Sequence, residues 1–493
     1  LWKPRVRALT ALILGALALP ALAHDKIADN VEARLARSGH APVLVALGAQ
    51  ARLDGIVEKH AGDDRLIASV ALLQAHARRT QAPLRAWLDA RKLSYKSFWV
   101  ANFIALDVDA GLAGQLAARD DVAAIELDSR LSVTRPVAEF PAGMKQILAV
   151  EPGVTRVNAP AVWAMGFTGQ NVLVAGQDTG YDWDHPALIG KYAGWNGSTA
   201  AHDYHWFDAI NFANVSCPAN SPEPCDDYDH GTHTMGTMIG DDGAANQIGV
   251  APGARWIGCR NMNIGNGTPT TYSTCFQFFL APTDRAGNNP DPLRAPHVIN
   301  NSWGCPPSEG CTVPTVLQTV VENVRNAGIL VVASAGNNGP ACSTVSDPPA
   351  IYAASYSVGN LNGTSVNSGS SRGPVTIDGS GRIKPDISAP GTSVRSSVRN
   401  GGYAFLTGTS MAGPHVAGVA ALLMSVDPTL KRDPARIEAL LSATAVNDIT
   451  TVQTCGDTAA PGTIPNNTFG HGRVDALNAV RVGLSLLHKS GFE

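Results

Sequence analysis

The chain has 493 residues, 44% of them hydrophobic and 16% charged, with a formal net charge of −4. That length exceeds one ordinary compact core and predicts two or more units, and the composition excludes a disordered chain. The near-balanced charge, with no long basic run, gives no electrostatic case for nucleic acid or an anionic membrane surface.

Lys3, Arg5 and Arg7 precede an apolar run from Ala8 to Leu19, then Pro20 and Ala21-Leu22-Ala23. A basic start, a short apolar stretch and an A-x-A site predict a secretory signal over residues 1–23. No later segment reaches on the order of 18 uninterrupted apolar residues, so no membrane span is expected. Eight cysteines, at 217, 225, 259, 275, 305, 311, 342 and 455, agree with export to an oxidising compartment. Cys217–Cys225 and Cys305–Cys311 suit local loops, although spacing does not fix the pairing. With no C-x-x-C pair, zinc ligation is not expected.

Residues 24–135 lack cysteine and are rich in Ala, Leu and Arg. Pro42–Leu47 reads as a strand, Asp64–Lys92 as a helix and Phe98–Val108 as one or two strands. Gly111–Arg119 reads as a helix and Val122–Leu127 as a closing strand. This order suits a small α+β sandwich. Residues 136–153 hold three prolines and read as a linker.

From Val154 the character changes. Val172–Gly176, Trp256–Cys259, Val298–Asn300 and Ile329–Ala333 are short apolar runs bounded by Gly, Asn or Asp. They predict buried strands, with helices over Thr315–Ala327 and Ser410–Met424. Strand–helix alternation predicts a parallel sheet covered on both faces, with its site at the carboxyl ends of the strands.

Three segments place a polar group where such an element begins or ends. In VLVAGQDTGYDWDHPAL a strand runs into Asp178, a costly place for a carboxylate unless it is hydrogen-bonded. In DHGTHTMGTMIG, His230 and His233 open a small-residue helix. The pair is compatible with metal, but the Glu and the four-residue spacing of the zinc helix are missing. In LTGTSMAGPHVAGVAALL, Ser410 stands at a helix start. It is there either a cap or a nucleophile whose oxyanion the helix N–H groups would stabilise. Singly, each segment is ambiguous.

Aspartate, histidine and serine in that chain order resemble the subtilase family of serine proteases, over roughly Val154 to Leu487. GTSMAGPH carries most of the resemblance, followed by HGTHTMGT and QDTG. It implies a subtilisin-like three-layer α/β fold with a mostly parallel central sheet, preceded by a small ferredoxin-like α+β domain. It also implies a secreted serine endopeptidase, with Asp178 orienting His230, His230 as general base and Ser410 as nucleophile. His233 aligns with a non-catalytic position. Asn337, in ILVVASAGNNGP, matches the oxyanion-hole asparagine.

By the same resemblance, Ser302, Trp303 and Gly304 match the edge that pairs with a substrate strand, and Gly265–Pro269 is the candidate opposite rail. Ser334, Ala335 and Gly336 wall the pocket for the residue before the cut. Ser346 and Asp347 lie near its base. An acid there favours Arg or Lys, unless the loop turns Asp347 outward.

No cofactor is required. Structural calcium is implied by the family, but its usual side-chain ligands are missing, with Ala187 and Gly243 in their places. Disulfides are expected to take over part of that stapling. The stretch between Asp178 and His230 is longer than in compact family members and carries Tyr204, Trp206, Phe207 and Phe212, which predicts a loop beside the cleft. Residues 24–135 resemble the inhibitory propeptide, the protein's own partner until the linker 136–153 is cut. The remaining partners implied are protein or peptide substrates. Neither nucleic acid nor membrane is expected, and the chain reads as a monomer. The competing readings are a protease-like scaffold that no longer cuts, a metal hydrolase using the histidine pair, and an esterase, whose G-x-S-x-G elbow is absent around Ser410.

Overall fold

The computed structural model describes residues 26–128, 131–132, 137–139, 150–304, 315–452, 455–456 and 463–489. The predicted export signal, the Cys305–Cys311 loop and much of the predicted linker lie outside the described residues.

The N-terminal unit runs α1 (Asp29–Ser38), β1 (Ala41–Leu47), α2 (Asp54–Lys59), α3 (Gly62–Ala90), β2 (Lys96–Phe98), β3 (Phe103–Val108), α4 (Ala110–Ala117) and β4 (Val122–Leu127). Its strands form one antiparallel sheet in the order β2-β3-β1-β4. The stretch Phe98–Val108, expected as one or two strands, holds the end of β2 and all of β3, and the predicted helices at 64–92 and 111–119 are present with slightly shifted ends. Alternate residues of a strand face opposite sides, and here both sides are covered. Val43, Val45, Ile104 and Leu106 pack with Val31, Leu84 and Leu116 of the unit's own helices. Leu44 and Phe103 face the other way, into a cluster shared with the C-terminal unit.

Two short strands follow, β5 (Leu131–Ser132) and β6 (Val137–Glu139), then α5 (Pro152–Arg156) and α6 (Ala159–Trp163). The C-terminal unit continues with β7 (Leu173–Asp178), β8 (Trp206–Asp208), α7 (His230–Ile239), β9 (Arg255–Arg260), β10 (Asn266–Gly267) and α8 (Pro269–Leu280). Next come β11 (Val298–Asn301), α9 (Thr315–Asn326), β12 (Leu330–Ser334), β13 (Tyr356–Asn362), β14 (Ser365–Val366), β15 (Ile387–Pro390), β16 (Val394–Val398) and β17 (Gly402–Thr407). The last helices are α10 (Thr409–Val426), α11 (Pro434–Ala443) and α12 (Ala476–Lys489).

The central sheet has eight strands, ordered β14-β13-β12-β11-β7-β9-β8 with β15 also on β13. All its pairings are parallel except β13 with β14. Period-two alternation divides its side chains between two cores. Val174, Val298, Leu330 and Val332 pack with the residues of α7 and α10. Ala175, Ile299, Val331 and Ala333 pack with those of α8 and α9. The result is the expected three-layer α/β fold with a mostly parallel sheet. Helix α10 is rich in small residues and almost wholly buried, so it passes beneath the sheet as a core helix.

The N-terminal sheet docks on α8 and α9 through Phe98 and Phe103 against the same core as Phe276 and Phe279. The Gln277 side-chain oxygen accepts the Trp99 and Val100 N–H groups at 2.8 and 3.2 Å. Asn323 donates to the Val100 carbonyl at 2.8 Å. Asp128 accepts from the Thr270 N–H at 2.9 Å, in the first turn of α8, where a carboxylate satisfies an otherwise unpaired donor.

Three disulfides are described: Cys217–Cys225, Cys259–Cys275 and Cys342–Cys455. The first closes a short loop, with a sequence separation of 8, within the long stretch between Asp178 and His230, as spacing suggested. The second ties β9 to α8.

Candidate active site

Asp178 is the last residue of β7, paired with Arg260 of β9, so sheet pairing continues to the carboxylate itself. His230 is the first residue of α7, and both are buried. His230 Nδ1 lies 2.7 Å from Asp178 Oδ1, which also accepts the Thr179 N–H at 2.7 Å. These hydrogen bonds offset the cost of burying the carboxylate. His230 Nε2 is buried and makes no hydrogen bond among the described residues.

The strand end and the helix start are clamped together. Asp226 accepts from the Thr179 hydroxyl at 2.8 Å and from the Thr232 hydroxyl and N–H at 2.6 and 3.0 Å. Thr179 Oγ1 in turn accepts the Gly231 N–H at 3.0 Å. A Cβ on Gly231 would come within 2.1 Å of the Gly180 carbonyl oxygen, so only glycine permits this approach of helix to strand. Burial pushes the Asp226 carboxyl upward against the pull of these donors.

His233, one turn on, places Nε2 at 3.0 and 3.2 Å from the carbonyls of Val394 and Ala404. Burial, and then the nearby His230 charge, push it down to about 3. It does not touch Asp178. Among the described residues no group of three or more His, Cys, Asp or Glu is placed to hold a metal. At the position considered for calcium, Gly243 offers its N–H to Asp241 at 2.9 Å and Ala187 is buried. The Lys191 ammonium reaches the Asp241 carbonyl at 3.1 Å. A cation already sits on an oxygen of this loop, and the residues do not fit the usual site.

Ser410 is the second residue of α10, where backbone N–H groups lack partners within the helix. Its hydroxyl donates to the Ser302 carbonyl at 3.3 Å, and the Ser302 hydroxyl donates to the Ser410 carbonyl at 2.9 Å. Asn337 follows β12 by three residues. Its Oδ1 accepts the Thr409 N–H at 2.8 Å and the Thr409 hydroxyl at 3.0 Å. With the oxygen held there, the Nδ2 donor is the end left for a ligand. Sequence reading overlooked Thr409 and Asp226. The Thr beside the serine and the Asp-rich run before HGTH were the available signals.

Ser302, Trp303, Gly304, Ser334, Gly336 and Asn337 line one cavity with Ser410, Thr409 and Asp347. Ala335 is buried beside it. Trp303 stacks on Tyr272 with ring centroids 3.6 Å apart, which anchors this wall to α8. Ser346 is half-buried and donates to Asp347 Oδ1 at 2.7 Å. Asp347 is 5% exposed, so its loop turns it inward.

Two segments of the chain add to the edges of this region. β5 pairs antiparallel with β10, with Ser132 opposite Asn266 and Leu131 opposite Gly267. β10 falls within Gly265–Pro269, the candidate second rail. β6, inside the expected linker, pairs antiparallel with β17, with Val137 opposite Thr407. β17 ends three residues before Ser410.

Residues 169–472 match a family model described as the subtilase family, peptidase S8. The chain is 39% identical to bacillopeptidase F of Bacillus subtilis (strain 168), over 67% of this chain and 22% of that protein. It is 34% identical to subtilisin E of the same strain, over 57% of this chain and 62% of the relative. A subtilisin of Bacillus pumilus is 33% identical over 57% of this chain and 86% of its own length. The chain thus spans less than two thirds of the first two.

Proposed function

The chain belongs to the subtilase family, and on that premise we propose that it is a secreted serine endopeptidase, made as a zymogen that processes itself. One observation carries the catalytic part: the buried 2.7 Å contact between His230 Nδ1 and Asp178, which turns Nε2 away from the carboxylate. An imidazole held by Nδ1 keeps Nε2 as the basic nitrogen.

In the proposed reaction Ser410 rotates its hydroxyl from the Ser302 carbonyl toward His230 Nε2. Its oxygen attacks the peptide carbonyl as the proton passes to that nitrogen. Asp178 stabilises the imidazolium. The Ser410 N–H and Asn337 Nδ2 hold the tetrahedral oxyanion. His230 then returns the proton to the leaving amine; water next attacks the acyl carbonyl while giving a proton to His230, which passes it to Ser410 Oγ as the acid product leaves.

The zymogen part rests on β5 and β6. β5 pairs with the candidate rail strand β10 and β6 pairs with β17, which ends three residues before Ser410, and both pairings support self-cleavage in the linker 136–153. Residues 24–135 then act as the inhibitory leader. Export is supported by the N-terminal basic–apolar–A-L-A pattern and by the disulfides.

A fluorophosphonate probe tests the reading. It should label purified protein at Ser410 and fail on Ser410→Ala. His230→Ala and Ser410→Ala should each lose on the order of 10⁶ in turnover, and the double variant no more, the behaviour of a triad acting as a unit and the scale found in subtilisin itself. Peptide hydrolysis by His230→Ala near the parent rate would overturn the assignment.

A further inference from the structure

We propose, resting on the protease reading above, that Asn214 and Asp227 are positioning residues: they hold the turn Asn263–Asn266 in the shape that lets β10 take the substrate's extended strand.

β10 already carries such a strand, since β5 lies antiparallel on it. The turn that leads into β10 is tight. Asn263 and Asn266 exchange N–H···O bonds at 2.8 and 3.0 Å, and the two residues between them, Ile264 and Gly265, have φ values of 48° and 75°. That is the pattern of a two-residue type I′ turn, which prefers asparagine, aspartate or glycine at its first central position. Isoleucine is branched at Cβ and disfavours this backbone region. Its side chain is 45% exposed, so burial does not hold it there. The turn is therefore held from outside.

The holders stand on either side of the Cys217–Cys225 bridge. Asp227 is buried and accepts the Ile264 N–H on Oδ1 at 3.0 Å. The Asn214 amide donates at 2.6 Å to both Asp227 Oδ2 and Asn263 Oδ1. Arg260, wholly buried on β9, reaches the same two oxygens at 2.6 and 3.2 Å. Asn214 Oδ1 accepts the Ser216 and Cys217 N–H groups, each at 2.8 Å, which ties the amide to the bridge. A Cβ on Gly265 would lie 3.4 Å from Tyr228 Cε1, so the ring that follows Asp227 lies against the turn. Asp226, on the other side of Asp227, accepts from Thr179 and Thr232 beside His230. Adjacent carboxylates thus serve two parts of the site, Asp226 the triad and Asp227 the rail. Loss of Asn214 or of the bridge should weaken strand binding and spare the chemistry.

The test uses the full chain after self-processing and two fluorogenic substrates with the same residue at the cut, a dipeptide and a hexapeptide. β10 holds Leu131 and Ser132 while the proposed cut lies in the linker 136–153, so the rail meets residues that only the hexapeptide has. In Asn214→Ala, KM for the hexapeptide should rise about 10-fold with kcat little changed, and dipeptide hydrolysis should match the parent. Cys217→Ser with Cys225→Ser should raise the same KM, and it carries the same test if Asn214→Ala does not fold. Adding Ile264→Asn to Asn214→Ala should restore most of the hexapeptide KM, because an asparagine–glycine pair adopts this turn unaided. In protein that reacts with fluorophosphonate at the parent rate, an unchanged hexapeptide KM, an equal loss on both substrates, or no rescue by Ile264→Asn would overturn the proposal. Failure of both substrates and of the probe on the parent protein would instead overturn the protease reading.

Discussion

Thr179 donates its hydroxyl proton to Asp226 at 2.8 Å while its oxygen accepts the Gly231 N–H at 3.0 Å. One side chain thereby fixes the end of β7 to the start of α7, and so fixes the distance between Asp178 and His230. Replacing Thr179 by Val keeps the shape and removes the clamp. It leaves buried Asp226 one donor short, a loss of about 1–3 kcal/mol. Urea unfolding should show that loss, and kcat should fall about 10-fold with KM little changed, since the imidazole and not the substrate is displaced. A change confined to KM would count against the clamp.

On the proposed mechanism, Asn337→Ala removes the side-chain donor to the oxyanion while leaving the pocket walls in place. The expected loss is about 10²–10³ in kcat with KM nearly constant, a scale measured on subtilisin. Thr409→Val should produce a smaller loss of the same kind, because Thr409 holds the amide rather than the substrate. Steady-state kinetics on one peptide settles both.

Burial pushes His415 down to about 4, against an ordinary value of 6.5. Its Nδ1 faces the Met411 carbonyl at 2.8 Å, and its buried Nε2 makes no hydrogen bond among the described residues. Between those two values the unfolded chain binds a proton that the folded chain refuses. The His415 contribution is therefore intact above pH 6.5 and is lost as pH falls toward 4, by on the order of 3 kcal/mol. Asp182, raised to about 6 by burial and then by the neighbouring Asp184, acts in the opposite direction. The measurement is accordingly a difference: from pH 7.5 to 4.5, His415→Gln should lose less unfolding free energy than the parent. Parallel curves would refute it.

The Cys342–Cys455 bridge spans 113 residues of sequence. Closing so long a loop restricts the unfolded chain, and its removal should cost about 4–5 kcal/mol in the chain-entropy picture. Cys342→Ala with Cys455→Ala should therefore lower Tm markedly. A chelator should lower it little, because Lys191 and not a set of carboxylates meets the Asp241 carbonyl. A large chelator effect would show that the disulfides do not stand in for metal.

Much of the architecture could be read from residue patterns, and the misses have physical causes. The run Val172–Gly176 stopped two residues short of the end of β7, because Gln177 and Asp178 look like loop residues although sheet pairing continues through them. Helix α8 was overlooked because its Thr, Tyr and Phe residues favour strands. Its signal lay in the cap, where the Thr268 hydroxyl accepts from the Thr271 N–H at 3.2 Å ahead of Pro269. β17 is half-buried along its whole length and shows no alternation to detect. β6 exists through pairing with a strand more than 260 residues away, which no local window contains. The contact of Asp178 with His230 was legible because three motifs constrain it jointly. The inward turn of Asp347 was not, since loop geometry decided it.

The pairing of β5 with β10 and of β6 with β17 has a kinetic consequence. On the proposed reading the scissile bond belongs to the same chain as Ser410 and meets it without diffusion, as an intramolecular reactant at high effective concentration. Maturation on the proposed reading is therefore first order: diluting the precursor tenfold should leave its half-life unchanged, whereas cutting between molecules would slow in proportion.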